Sequence, residues 1–130
     1  MSEAIAIEFV EGPLGKAKPG PVLAGNGARV VFEGYVRELE GHERIAALVY
    51  EAYRPMAEQV LAAIARHCVT QHHVHGVTVE HSVGRVEVGG CSFRLTIDAP
   101  HRKEALAAAD EFIDRMKQDA PIWKSVVGGR

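Results

Sequence analysis

The sequence predicts an α+β domain in which two helices pack on a largely antiparallel sheet. Two observations carry this expectation. Apolar residues alternate in short groups separated by glycines and polar turns, the pattern of hairpin-connected strands. Two longer stretches instead repeat apolar residues at helical spacing, each opened by a proline. Strands grouped by hairpins, without regular strand–helix alternation, argue against a parallel doubly wound sheet.

Taken in order, Ile5, Ile7 and Phe9 alternate as a first strand. Gly and Pro then recur from Gly12 to Gly27, which reads as a loop. Arg29 to Arg37 forms a second strand, and Gly34 inside it signals a bulge or the close approach of another backbone. The polar stretch Glu38 to Arg44 is a hairpin loop or flap leading to a third strand, Ile45 to Tyr53. Pro55 opens the first helix, whose apolar stripe runs through Met56, Ala57, Val60, Leu61, Ile64, Ala65 and Cys68. His72, His73 and His75 fall in the loop that follows. Val77, Val79, His81 and Val83 alternate as a strand. Gly84-Arg85 and Gly89-Gly90 then punctuate two short strands, the last carrying Phe93, Leu95 and Ile97 on one face. Pro100 opens the second helix, with Ala105, Ala109, Phe112 and Met116 as its stripe and Leu106 and Ile113 beside it; Pro121 marks its end. The remainder, from Ile122, carries no assigned element.

At 130 residues the chain is expected to form a single domain, 1–130. With 47% hydrophobic residues it has the material for a core that needs no disulfide or metal. Fifteen Lys and Arg against 17 Asp and Glu leave a formal charge of −2, which argues against a polybasic nucleic-acid or membrane binder. No apolar run approaches a membrane span, and Met1-Ser2-Glu3 is acidic where a secretory leader would be basic, so a cytoplasmic protein is expected. Cys68 and Cys91 lie far apart without CxxC spacing and read as reduced packing residues.

Candidate chemistry gathers at the basic residues. His101-Arg102-Lys103 sits where the second helix begins, and the free N–H groups of a helix start favour anions. A guanidinium there can grip a phosphate with two parallel hydrogen bonds. The same residues also fit a solvated first turn, and the residues alone leave both readings open. Lys117 and Lys124 flank Pro121-Ile122-Trp123; because proline breaks the helix, the two ammonium groups are free to converge on one pocket, though the residues alone also fit two surface lysines near the chain's end. His72, His73 and His75 read as a solvated loop rather than a metal site, since no acidic or thiol partners stand at ligand spacing. His81, on the face of Val77 and Val79, reads as a hydrogen-bonded, half-buried strand histidine. No GxGxxG, GxxxxGK[ST] or GxSxG pattern precedes a helix, so dinucleotide, P-loop and hydrolase-elbow readings lack support.

Several segments then fall into one ordered pattern. Gly27-Ala28, Val31-Phe32-Glu33-Gly34-Tyr35-Val36-Arg37, Leu48-Val49-Tyr50-Glu51-Ala52-Tyr53 and Met56-Ala57-Glu58 are followed by His81-Ser82-Val83-Gly84, Val88-Gly89, Pro100-His101-Arg102 and Pro121-Ile122-Trp123-Lys124. In this order they resemble the large (catalytic) subunit family of molybdopterin synthase, over roughly residues 4 to 124. The resemblance implies an α/β hammerhead fold with an additional antiparallel β subdomain, and a homodimer at the centre of a heterotetramer. It implies a small ubiquitin-like sulfur-carrier subunit as partner, whose C-terminal Gly-Gly thiocarboxylate enters the site. Sulfur would pass to cyclic pyranopterin monophosphate (precursor Z), forming the dithiolene of molybdopterin in molybdenum cofactor biosynthesis. By the same resemblance Lys117 and Lys124 are the catalytic lysines, and Arg37, His101 and Arg102 bind the substrate phosphate. Phe32 matches a pocket aromatic by motif position. No metal and no cofactor is implied, because the carrier brings the sulfur.

The sequence departs from the family pattern at Ser82, where Arg is usual, at Gly90, where Glu is usual, and at Ser125-Val126, where a basic residue and Glu usually follow the Trp-Lys pair. The family also carries a longer tail than the one that ends here at Arg130. These departures define the alternative: a divergent, non-catalytic paralogue that binds the sulfur carrier or a pterin phosphate.

Overall fold

The computed structural model describes residues 4–129. Its elements are β1 (Ala4–Glu11), β2 (Ala28–Tyr35), β3 (Leu39–Glu40), β4 (Glu43–Ala52), α1 (Met56–His72), β5 (Gly76–Glu87), β6 (Cys91–Ala99), α2 (Arg102–Asp119) and β7 (Ile122–Gly128). The expected α+β class holds: all pairings are antiparallel except β1 with β5.

Strand β5 organises the sheet. Its first half lies between β1 and β6, and β6 in turn pairs with β2. Its second half, Gly84 to Glu87, pairs instead with Tyr50 to Ala47 of β4, which carries β7 on its other side and the short β3 hairpin at its start. The chain turns from one sheet region to the other at Gly84, whose φ of +83° disfavours any side chain. A Cβ there would also collide with the Glu11 carboxylate. Sequence alternation anticipated a break at Gly84, yet the strand runs through it, because β4 takes over the backbone hydrogen bonding that β6 and β1 relinquish.

Both helices pack on the larger sheet region. Helix α1 buries Ala57, Leu61, Ile64, Ala65 and Cys68, and α2 buries Ala105, Ala108, Ala109, Phe112 and Met116. They meet Val77, Val79, Leu95 and Ile97 in one core. Alanines along the contact allow close approach, so that the Cys68 thiol reaches the Ala108 carbonyl at 3.7 Å. Both cysteines are free and buried. Val36, Ile45, Leu48 and Val86 form a separate small core in the β4 region. Leu106, placed beside the α2 stripe by spacing, is instead exposed.

The expected loop Gly12 to Gly27 is strapped across the sheet by two arginines. Arg29 grips Asp98 with two bonds of 2.6 and 2.8 Å and donates to the Gly20 carbonyl at 2.6 Å. Arg94, almost fully buried, donates to Glu33, Glu80 and the Gly15 carbonyl. A buried guanidinium with its donors spent this way avoids the cost of an unpaired charge. The bulge anticipated at Gly34 appears as a register shift between Gly34 and Tyr35. The unassigned tail becomes β7, with Lys124 opposite Tyr50 and Gly128 opposite Ile45. No helix among the described residues is long and apolar enough to cross a membrane.

His72 corrects the loop expectation: it is the last residue of α1, and its Nε2 lies 2.6 Å from Glu111 of α2. His67 and Arg115 complete the cluster at 2.9 and 2.7 Å. Hydrogen bonds from His72 and Arg115 hold the Glu111 carboxyl down at about 2. A carboxylate with a depressed pKa stabilises the fold above its ordinary value of 4.5, and that contribution fades as pH falls toward 2. Glu111→Gln is therefore expected to lose about 1 kcal/mol near neutrality, the partly solvated cluster limiting the effect. Urea unfolding should show the deficit shrinking as the pH drops below 4.5; a deficit independent of pH would contradict the assignment.

Candidate functional site

The site is built by the exit from α2. Residues preceding proline are pushed out of helical geometry, and Ala120, before Pro121, is extended with ψ of 134°. The chain then enters β7 along the edge of β4. Lys117, in the last turn of α2, and Lys124, on β7, are thereby brought to a common cavity of about 470 Å³. It opens where the two sheet regions meet. One wall is Phe32, Gly34 and Tyr35 of β2; the other is Ile113, Met116 and Lys117 of α2 with Ile122, Trp123 and Lys124 of β7. Phe32, Tyr35 and Trp123 are each 43–58% exposed, leaving the mouth aromatic and accessible.

The floor is polar. Tyr50 Oη donates to Ser92 Oγ at 3.0 Å. His81, 6% exposed, lies between the tilted rings of Phe9 and Phe93 and meets the Tyr50 ring edge-on, with centroids 5.3 Å apart. Its Nδ1 lies 2.8 Å from the Ser82 carbonyl oxygen. A carbonyl only accepts, so Nδ1 carries the proton. Burial pushes the imidazole below its ordinary value of 6.5. The neutral ring therefore keeps Nε2 as a bare acceptor.

The cations are unequal. Lys124 Nζ pairs with the Glu40 carboxylate at 2.8 Å. That hydrogen bond, with the charge of nearby Arg37, holds Glu40 below the usual carboxylate range. Lys117 forms no ion pair among the described residues. Arg37 follows β2, is exposed and lies outside the cavity lining. His101 and Arg102 are exposed at the other end of α2, where His101 Nδ1 lies 3.2 Å from Glu104. Arg102 to Lys117 spans about 22 Å of helix at 1.5 Å per residue. Within one chain the structure thus joins the lysines and places His101 and Arg102 far from them.

The departures from the family pattern have local explanations. Ser82 is fully buried and its hydroxyl donates to the Gly12 carbonyl at 2.7 Å. At Gly90 an added Cβ would lie 2.8 Å from Val86 Cγ1 and 3.0 Å from the Glu87 carbonyl, so this turn has no room for a longer residue. Val126 is exposed on β7, and the acid beside Lys124 comes from β3 instead. Among the described residues no three His, Cys, Asp or Glu are placed to hold a metal; His75 pairs with Asn26 at 2.7 Å.

Apolar walls, a neutral acceptor and two ammonium groups suit an anionic ligand with a flat or narrow body, and can support acyl or proton transfer. Sequence reasoning anticipated the convergence of the lysines. It did not anticipate His81, Tyr50 and Ser92 as a floor, although alternation had put His81 on an inward face. Glu40 gave no signal, because nothing in a polar hairpin tells which carboxylate folds back onto a distant strand.

The MoaE protein family model matches residues 16–119. A molybdopterin synthase catalytic subunit of Coccidioides immitis is 37% identical over 127 residues, covering 94% of this chain. One of Nostoc sp. is 41% identical over 102 residues, covering 78%. The chain spans 63% and 62% of these two relatives' own lengths. Among solved structures, molybdopterin synthase from Staphylococcus aureus superposes with a TM-score of 0.78 at 33% identity, covering 83% of this chain and 79% of that one. Molybdopterin cofactor biosynthesis protein E from Burkholderia multivorans gives 0.69 at 31% identity, covering 80% and 71%.

The tautomer of His81 is testable by exchange. His81→Leu should cost about 1–3 kcal/mol in urea unfolding by removing a buried hydrogen bond. His81→Asn should recover most of it, since an amide N–H can replace Nδ1–H. Equal losses in both variants would refute the assignment.

Proposed function

The chain belongs to the MoaE protein family, and from that premise we propose that it is the catalytic subunit of a molybdopterin synthase. It moves sulfur from the C-terminal thiocarboxylate of a small ubiquitin-like carrier to cyclic pyranopterin monophosphate. The observation that carries this reading is the convergence of Lys117 and Lys124 on one aromatic-mouthed cavity. A Gly-Gly tail is narrow enough to pass between Phe32, Tyr35 and Trp123. Its anionic end finds ammonium groups there.

The chemistry divides along these lines. Sulfur leaves the carrier as the bond to its terminal carbonyl carbon breaks, and that carbon finally takes an oxygen from water to become a carboxylate. A dithiolene therefore consumes two carriers. Lys117, which forms no ion pair among the described residues, is the group available to meet the thiocarboxylate. Nε2 of His81, unprotonated in the buried neutral ring, is a hydrogen-bond acceptor on the floor.

Substrate phosphate binding is assigned to Arg37, His101 and Arg102. The length of α2 separates the last two from Lys117 by about 22 Å, so they serve the same substrate only when a second copy of the chain supplies them. A homodimer follows from this reading, with two equivalent sites related by a two-fold axis. The buried, free cysteines fit a reducing cytoplasm.

Purified chain, thiocarboxylated carrier and precursor Z should yield dithiolene product. Carrier binding without product, beside a competent control, would favour the non-catalytic alternative. Lys117→Ala should abolish transfer without disturbing assembly. Arg102→Ala should weaken substrate binding by about 1.5–3 kcal/mol, the loss of a charge-assisted hydrogen bond. Mixed one to one, allowed to exchange subunits and assayed at substrate levels too low to load the Arg102→Ala site, the two variants should recover roughly a quarter of wild-type activity, since half the dimers carry one intact composite site. No recovery would place each site within a single chain.

A further inference from the structure

We propose that Glu40, presented by the β3–β4 hairpin, is the positioning residue for Lys124: its carboxylate fixes the ammonium at the cavity and couples the hairpin to the site. This rests on the reading of the cavity as the sulfur-transfer site.

Three observations support it. The Glu40–Lys124 pair, at 2.8 Å, joins elements far apart in sequence. The Glu40 side chain is 28% exposed, half-buried like Glu58 at 26% and unlike the open Glu38 at 58%. Second, β3 is only two residues long, and its register sets Glu40 directly across from Glu43. Like charges facing across a strand pair repel, so the hairpin needs a cation, and Lys124 supplies it. Third, Arg37 stands close enough to act on the same carboxylate, so Glu40 links a phosphate-site candidate to a catalytic-site candidate.

The consequence is a division of labour between two chemically identical side chains. A lysine stem is long and flexible, and holding its head in one place requires a fixed partner. Lys124 has one; Lys117 forms no ion pair among the described residues and is free to follow a ligand. Glu40 touches no ligand in this scheme and acts only through Lys124, so its loss should affect the reaction step more than binding.

The test compares Glu40→Gln with Glu43→Gln, which removes the neighbouring carboxylate of the same hairpin. The first readout is amine labelling by a limiting acylating reagent, followed by mass spectrometry. Lys124 labelling should rise several-fold in E40Q, with Lys117 unchanged, and should not rise in E43Q. The second readout is turnover, where E40Q should lower kcat about tenfold while KM and carrier affinity stay within about twofold. Unchanged Lys124 labelling in E40Q, an equal rise in E43Q, or an unaltered kcat would each overturn the proposal. If the wild-type chain makes no product, the sulfur-transfer reading falls, while labelling still decides whether Glu40 holds Lys124.

Discussion

A single strand serves two sheet regions, and the rest of the molecule depends on how it bends. Up to His81, β5 is hydrogen-bonded to β6, and to β1 as far as Val83; from Gly84 it belongs to β4. The turn needs the left-handed backbone of Gly84. His81 and Tyr50 meet in the cavity floor because one just precedes Gly84 on β5 and the other pairs with Gly84 from β4.

The second constraint is the helix break at Pro121, and it shows how far the sequence could be read. Proline announces the end of α2 from composition alone, and with it the freedom of Lys117 and Lys124 to converge. The helical stripes were legible for the same reason, since their periodicity is local. What stayed hidden is what depends on pairing between distant segments. The residues after Ile122 carry too few alternating apolar positions to declare a strand, and β7 exists because β4 offers it an edge. His72 looked like part of a polar loop until α2 brought Glu111 within 2.6 Å. Glu40 is the sharpest example: its partner is 84 residues away along the chain, beyond any pattern a local window detects.

Net charge concealed the site's electrostatics. A formal charge of −2 over 130 residues describes the surface as a whole, whereas two ammonium groups at one cavity make a local anion trap. Three of the ten arginines are spent structurally: Arg29 and Arg94 strap the loop between β1 and β2, and Arg115 serves Glu111. The exposed Arg37, His101 and Arg102 have no such structural commitment to a buried partner. Motif order grouped them with the lysines, but a rigid helix holds two of them apart, and only the proposed composite site in a symmetric dimer would reconcile order with distance.

In the proposed reaction the carrier's terminus meets Lys117 in the cavity between Phe32 and Trp123. The most direct measurement is a structure of the chain in complex with thiocarboxylated carrier. The expected result is the Gly-Gly terminus threaded past Tyr35 and Trp123, with its sulfur or oxygen within hydrogen-bond distance of Lys117 Nζ. A bound carrier whose terminus lies elsewhere on the surface, with the cavity untouched, would contradict it.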